Sequence, residues 1–132
     1  MPQVSITRLR IRSARFFLPF FWHTYRSLRQ ARAADGCLAV QVNNFAGAFW
    51  TLTLWRDRAA MRGFMLSGAH RKAMPKLAKW CDEASLAHWD QDTAELPPWP
   101  EGTRRLGAEG RTSTLDHPSP AHAAGKPLGT AG

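Results

Sequence analysis

Two runs of alternating residues, 37–45 and 49–55, are separated by only Ala46-Gly47-Ala48. A link that short joins antiparallel neighbours, so the two runs must form a β-hairpin. In the first run Leu38, Val40 and Val42 alternate with Ala39, Gln41 and Asn43; in the second Trp50, Leu52 and Leu54 alternate with Thr51, Thr53 and Trp55. Successive strand side chains point to opposite faces. The hairpin therefore reads as one apolar face, taken as core, and one face of amides, hydroxyls and an indole. An isolated hairpin is marginal in water, so the rest of the chain must add strands and a covering layer.

The flanking segments do so in a simple order. Residues 4–12 set Leu9 and Ile11 between Arg8, Arg10 and Arg12, a period-two strand pattern. Residues 13–34 read as a helix with Ser13 as N-cap and Phe17, Phe20, Phe21, Tyr25 and Leu28 spaced by three or four. Pro19 requires that helix to start near Leu18 or to kink, and Asp35-Gly36 ends it. After the hairpin, Asp57 caps a helix with Met61, Phe64, Met65 and Leu66 inward; Ser67-Gly68 breaks it, and a second piece runs over 69–80 with a further discontinuity at Pro75. Residues 84–92 close the set as a fourth strand, Leu86 and His88 on one face, Ala87 and Trp89 on the other. The order βαββαβ is the ferredoxin-like plan, an α+β fold with a four-stranded antiparallel sheet and both helices on one face. The other face needs a cover. Its polar and aromatic mixture points to a homodimer closed sheet to sheet, each copy offering the same surface.

The composition changes near Thr93. Six of nine prolines and six of ten glycines lie beyond it, so that part cannot build a core of its own. The expected organisation is a ferredoxin-like domain over residues 1–93, an extension over 94–117 packed on it through the Leu96-Pro97-Pro98-Trp99-Pro100 segment and a short helix over 101–109, and a flexible tail over 118–132. The net charge of +8 belongs wholly to residues 1–93, because the later charges cancel. Residues 16–22, the most apolar stretch, are too short to span a bilayer and are followed by His23-Thr24-Tyr25-Arg26 rather than a cleavage site. With two cysteines, Cys37 and Cys81, outside any CxxC pair, the expectation is a cytoplasmic protein with no membrane partner.

The segments Phe49-Trp50-Thr51-Leu52-Thr53-Leu54-Trp55-Arg56-Asp57, Ala60-Met61-Arg62-Gly63-Phe64-Met65 and Ser67-Gly68-Ala69-His70-Arg71 resemble the dimeric α/β barrel superfamily. The likeness is to its group of spheroidene monooxygenase-like and antibiotic biosynthesis monooxygenase-like proteins, including the uncharacterised DUF3291 family, and it covers roughly residues 4–92. The resemblance implies cofactor-free oxygenases, haem-degrading or haem-dependent enzymes, or proteins without known activity, and does not choose among them.

Against that background His70 is the leading candidate. It resembles the helix-two histidine that some haem-binding relatives use as an axial ligand; the plain alternative is a solvated helix histidine. Arg71 could pair a carboxylate of the ligand or simply face water. His88 is a candidate general base or a hydrogen-bonded interface residue, and His23 shares the ambiguity. Asn43, Trp50, Trp55 and Trp89 could stack on and hydrogen-bond a flat ligand, although core volume accounts for tryptophans equally well.

No GxGxxG, GxxxxGK[ST], HExxH or GxSxG pattern occurs, and the histidines and cysteines lack zinc spacing. Seven arginines between Arg8 and Arg32 raise nucleic-acid binding, yet the strands lack the aromatic pattern of an RNA-binding sheet. The expectation is a monooxygenase-like protein holding a small apolar or aromatic ligand between sheet and helices, with haem on His70 or no cofactor. The alternatives are a non-enzymatic ligand-binding relative and, with least support, an RNA-binding module.

Overall fold

The computed structural model describes residues 1–130, apart from the side chains of Ala69 and His70. The elements run β1 (Gln3–Ile11), a 3-10 turn (Ala14–Phe16), α1 (Phe17–Ala33), β2 (Cys37–Phe45), β3 (Ala48–Trp55), α2 (Arg58–Met65), α3 (Gly68–Trp80), β4 (Cys81–Asp90), α4 (Trp99–Glu109), β5 (Arg111–Thr112) and α5 (Pro120–Ala123). All strand pairs are antiparallel, in the order β2-β3-β1-β4-β5. The α+β class and the antiparallel sheet agree with the sequence reading. The strand count does not: β5 pairs Thr112 with Ser85 and Arg111 with Leu86, giving five strands where four were expected. Two residues cannot show a period, so nothing in the sequence marks β5 as a strand.

Local chemistry explains most boundaries. Pro19 falls in the first turn of α1, where its missing N–H has no helical acceptor to lose. Asp57 caps α2, its carboxylate accepting from the Ala60 amide at 2.8 Å. The break between α2 and α3 is tied to α1 by Gln30, whose side-chain N–H donates to the Ser67 carbonyl at 2.7 Å. Gly68 there has φ +60°, and a Cβ on it would crowd the Gln30 amide. Pro75 does not interrupt α3 as expected. Arg71 and Pro75 both lie on its exposed side, so the carbonyl that Pro75 cannot serve is left on the water-facing turn.

The hairpin link is two residues, Ala46 and Gly47, with φ of +52° and +72°, the signs of a type I′ turn. This turn sets the register: Val42 lies opposite Thr51, and Asn43 opposite Trp50. The expected matching of apolar with apolar positions across the hairpin is therefore corrected. Only β3 keeps a clean alternation, and β2, at the sheet edge, leaves Leu38 and Val42 exposed.

The larger correction concerns which face is core. Val4, Ile6, Trp50, Leu52, Leu54, Ala87 and Trp89 form one buried cluster with Leu106 of α4, and Leu96 and Trp99 pack against it. The strongly apolar face thus points away from α1, α2 and α3. It is covered by α4, which lies so close at Gly102 that a Cβ there would come within 3.0 Å of the Ile6 side chain. The face expected to await a second copy carries the chain's own extension.

Within residues 118–132, expected from composition to form a flexible tail, the described residues up to Thr130 are held by a buried carboxylate. Arg8 donates to Glu83 at 2.8 Å, with both side chains almost wholly excluded from water. Glu83 also accepts from the Ser119 hydroxyl at 2.6 Å, the Thr130 hydroxyl at 2.6 Å and the Thr130 amide at 3.0 Å. Ser85 donates to the Pro127 carbonyl at 2.6 Å, and His122 is buried with its ring nitrogen 3.3 Å from the Ala84 carbonyl oxygen. Burial alone would raise the Glu83 pKa; the hydrogen bonds from Ser119, Thr130 and Arg8 overcome this and hold it at about 2.

Because the folded-state pKa is depressed below the ordinary carboxylate value, Glu83 stabilises the fold above that value, and its contribution drains away as pH falls toward 2. Hydrogen exchange between about pH 5 and pH 2 should show the amide of Thr130 and those of α5 losing protection before the sheet does. Glu83→Ala, which leaves Arg8 buried without its partner, should cost about 3–5 kcal/mol in denaturant unfolding.

Candidate functional site

With the apolar face turned toward α4, the face under α1, α2 and α3 is free to be polar. β1 and β3 pair Ser5 with Thr53 and Thr7 with Thr51, which sets four hydroxyl residues in a block on two adjacent strands. Above them lies a cavity of about 220 Å³. Its roof and walls are Leu28 and Ala31 of α1, Met61, Phe64 and Met65 of α2, and Met74 and Leu77 of α3, with Trp55 at one end and Leu9 and Phe49 at the other. Ser113, Thr114 and Leu115 of the C-terminal extension complete the lining.

The polar groups of this floor are only partly used by the protein. Thr53 accepts from the Trp55 indole N–H at 2.9 Å and donates to the Ser5 carbonyl at 3.5 Å. Among the described residues, the hydroxyls of Ser5, Thr7 and Thr51 have no protein partner. Hydroxyls facing a cavity lined by methionine and aromatic carbon call for a ligand or water to satisfy them.

Among the described lining residues His23 is the one ionisable side chain that titrates near neutral pH, and no Asp, Glu, Lys or Arg joins it. α1 places its ring 5.3 Å from that of Trp80, with Nε2 3.3 Å from Lys76 Nζ. Burial, and then the positive charges of Lys76 and Arg26, push its pKa down, so the ring is neutral at pH 7. The cavity thus suits a neutral, flat molecule with one or two polar atoms, with an uncharged imidazole at its edge able to take up a proton.

The expected site residues are scattered. Trp55 lines the cavity. Trp50 and Trp89 lie on the opposite sheet face. Trp50 is buried and stacked 4.6 Å from Phe45, donating its indole N–H to the Phe45 carbonyl at 3.1 Å. Trp89 lies under the Arg105 guanidinium at 5.1 Å. Asn43 is exposed at the β2 edge, its side-chain oxygen accepting from the Asn44 amide at 2.8 Å. His88 shares the floor's face, paired with Ser5, but lies outside the cavity lining, and its Nδ1 is 3.2 Å from the Gln3 side-chain nitrogen. Burial, then Arg58 and Arg111, lower its pKa against the pull of Asp90. Arg71 is exposed on α3, and the side chain of His70 lies outside the described residues. Sequence reasoning passed over Ser5, Thr7, Thr51 and Thr53, which became a group only once the β1–β3 register was fixed.

A haem does not fit this cavity. A four-pyrrole macrocycle needs more room than about 220 Å³, and no described lining residue is a cation able to pair its carboxylates. Among the described residues, no group of three His, Cys, Asp or Glu could hold a metal ion.

The sequence profile of the family described as "Domain of unknown function (DUF3291)" matches residues 23–120. No curated protein sequence matches the chain. Several solved structures share the fold. Rv0793 from Mycobacterium tuberculosis is 17% identical with a TM-score of 0.65, the match covering 72% of this chain and all of that one. A protein titled antibiotic biosynthesis monooxygenase is 18% identical with a TM-score of 0.60, covering 70% of this chain and all of that one. SnoaB from Streptomyces nogalater, titled a cofactor-independent oxygenase, is 10% identical with a TM-score of 0.58, covering 70% of this chain and 94% of that one.

If the charge of Lys76 holds the His23 ring neutral, Lys76→Gln should raise the His23 pKa toward the ordinary imidazole value while leaving that of His88 where it is. A histidine NMR titration reads both shifts in one experiment.

Proposed function

Because the chain belongs to the DUF3291 family, whose description assigns no activity, we propose from the cavity itself that this protein binds a small, neutral aromatic ligand bearing a hydroxyl or carbonyl group. The observation that carries the reading is the set of unpartnered hydroxyls of Ser5, Thr7 and Thr51 under a roof of methionine and aromatic carbon. An apolar wall takes the ring system and the hydroxyls fix its orientation. A volume of about 220 Å³ lies below the ~300–1,000 Å³ of pockets for drug-sized molecules, so the ligand has two or three rings at most.

A monooxygenase-like activity is the reading of the same site that His23 favours, and the cofactor-independent oxygenase among the fold neighbours supports it. A neutral imidazole beside the cavity could deprotonate an acidic phenol or its keto form. The resulting electron-rich anion reduces dioxygen with its own electrons: one oxygen atom enters the ring as a carbonyl and the other leaves as water. His70, the earlier candidate for haem, has no part in this scheme. The same reading keeps a homodimer as the assembly, with the second copy on the part of the sheet that α4 leaves open, along β2 where Gln41 and Asn43 are exposed opposite Leu52 and Trp50.

Naphthols should raise the unfolding temperature more than naphthalene does. Thr7→Val should remove that preference, and Thr51→Phe, which fills the cavity, should abolish both effects without lowering the stability of the free protein. Equal responses of the filled and unfilled proteins would refute cavity binding. Oxygen uptake with anthrone and no added cofactor, lost in His23→Ala, would support turnover; binding without uptake would leave a ligand carrier. Light scattering should give twice the chain mass of 14.8 kDa, and a particle of the single-chain mass would remove the dimer.

A further inference from the structure

The outward side of α1 is the surface that the fold explains least. The helix turns Phe20 and Ala31 inward and leaves Leu18 85%, Trp22 59% and Tyr25 54% exposed. These stand at i, i+4 and i+7 and so form one stripe along the helix, flanked by Phe17 and Phe21 at 44% and 41% exposure. Apolar residues exposed singly need no account, whereas a contiguous group does. Trp22 and Tyr25, with ring centroids 6.4 Å apart, combine an apolar body with a polar tip.

Charge narrows the choice of occupant. α1, α2 and α3 together carry nine Arg and Lys and no Asp or Glu. Among the described residues none of those nine is in an ion pair. Arg26 and Arg29 continue the outward side of α1 beyond Tyr25, and the Arg29 guanidinium sits 5.9 Å from the Tyr25 ring. Arg12 and Arg15 precede the helix. A second copy meeting this face isologously would bring the arginines against their own images, which is unfavourable. A nucleic acid would satisfy the charge but has no use for Leu18, and the central strands of the sheet are covered by α4 on one face and by the helix layer on the other, which leaves no broad platform to stack bases. An anionic lipid surface matches both features, because aromatic and aliphatic side chains enter the headgroup boundary while arginines pair with lipid phosphates.

We propose that the outward face of α1 docks this protein peripherally on anionic membranes, with Leu18, Trp22 and Tyr25 inserted and Arg26 and Arg29 on the phosphates. No described helix is long and apolar enough to cross a membrane, so the contact is interfacial, and it departs from the expectation of no membrane partner. The surface lies outside the cavity and does not depend on what the cavity holds.

The test is co-sedimentation of the full chain with vesicles of phosphatidylcholine alone or mixed with phosphatidylglycerol. Binding should be at least about tenfold stronger to the anionic vesicles. Both Leu18→Ser/Trp22→Ser and Arg26→Glu/Arg29→Glu should weaken it by about tenfold or more, with unchanged thermal unfolding because all four positions are exposed. Trp22 emission should shift to the blue on binding, read as the part of the signal missing from Trp22→Phe. Absence of binding to anionic vesicles would overturn the proposal. So would binding that ignores Leu18→Ser/Trp22→Ser, which is adhesion through charge alone, or single-stranded RNA binding that displaces the vesicles and is equally insensitive to those two changes.

Discussion

The packing of α4 on the apolar face of the sheet is the contact from which the remaining arrangement follows. A β-sheet offers two faces, and while Leu9, Phe49 and Trp55 flank the hydroxyls on one, this sheet turns Val4, Ile6, Trp50, Leu52, Leu54 and Trp89 to the other, remote from α1, α2 and α3. Leu106 is wholly buried there and Trp99 is packed against the same cluster. Fully burying a side chain such as Leu106 contributes about 1.5–3 kcal/mol. With that cluster buried on one side and smaller apolar clusters at the two ends of the other, the middle of the helix-side face can keep Ser5, Thr7, Thr51 and Thr53 without leaving the sheet short of hydrophobic stabilisation.

That division also explains why the C-terminal segment is ordered despite its composition. Proline, glycine and alanine cannot build a core, but they can lie close against one. Gly102 admits α4 to the sheet, and Ser119 and Thr130 bring hydroxyl and amide donors to Glu83. The carboxylate would be costly to bury with Arg8 alone, since desolvation of two charges is repaid only when further hydrogen bonds complete the geometry. The tail supplies those bonds. Arg8 and Glu83 thus give the tail a specific place, while Ser113, Thr114 and Leu115, earlier in the same extension, reach round to the cavity.

The element order was legible in the sequence because periodicity and caps are local. The period-two runs, the Asp57 cap, Gly36 after α1 and the Ser67-Gly68 break all act within a few residues of themselves. What was not legible depended on register. Val42 and Trp50 both look apolar in the alternation, and only the two-residue turn at Ala46 and Gly47 shows that they fall on opposite faces. Once that pairing is known, Thr51 and Trp55 move from an outer surface to the cavity, and Trp50 moves from a candidate ligand contact to the core. β5 was invisible for a different reason, since a two-residue strand is defined by its partner. Tail docking was also hidden, because Glu83 and Thr130 are 47 residues apart and no spacing rule connects them.

α1 stands between the two surfaces to which function is assigned. Its inner side gives His23, Leu28 and Ala31 to the cavity, and its outer side carries the aromatic stripe and the arginines. One helix cannot satisfy both with ordinary amphipathicity, in which the outer side would be polar throughout. The inner side of this helix is lined partly by hydroxyls, Thr24 and Ser27, while the outer side is partly apolar, so the usual contrast is blurred in the direction that a polar-floored cavity and a water-excluding contact would each require. Lys76 links the two, since its ammonium group is one of the unpaired charges of the helix layer and also lies 3.3 Å from the His23 ring nitrogen. An anionic surface drawn to that layer would offset the positive potential that helps to keep the imidazole neutral. The proton affinity of His23, the one group among the described cavity residues that titrates near neutral pH, is therefore tied, through a single lysine, to what the outside of the same helix layer meets.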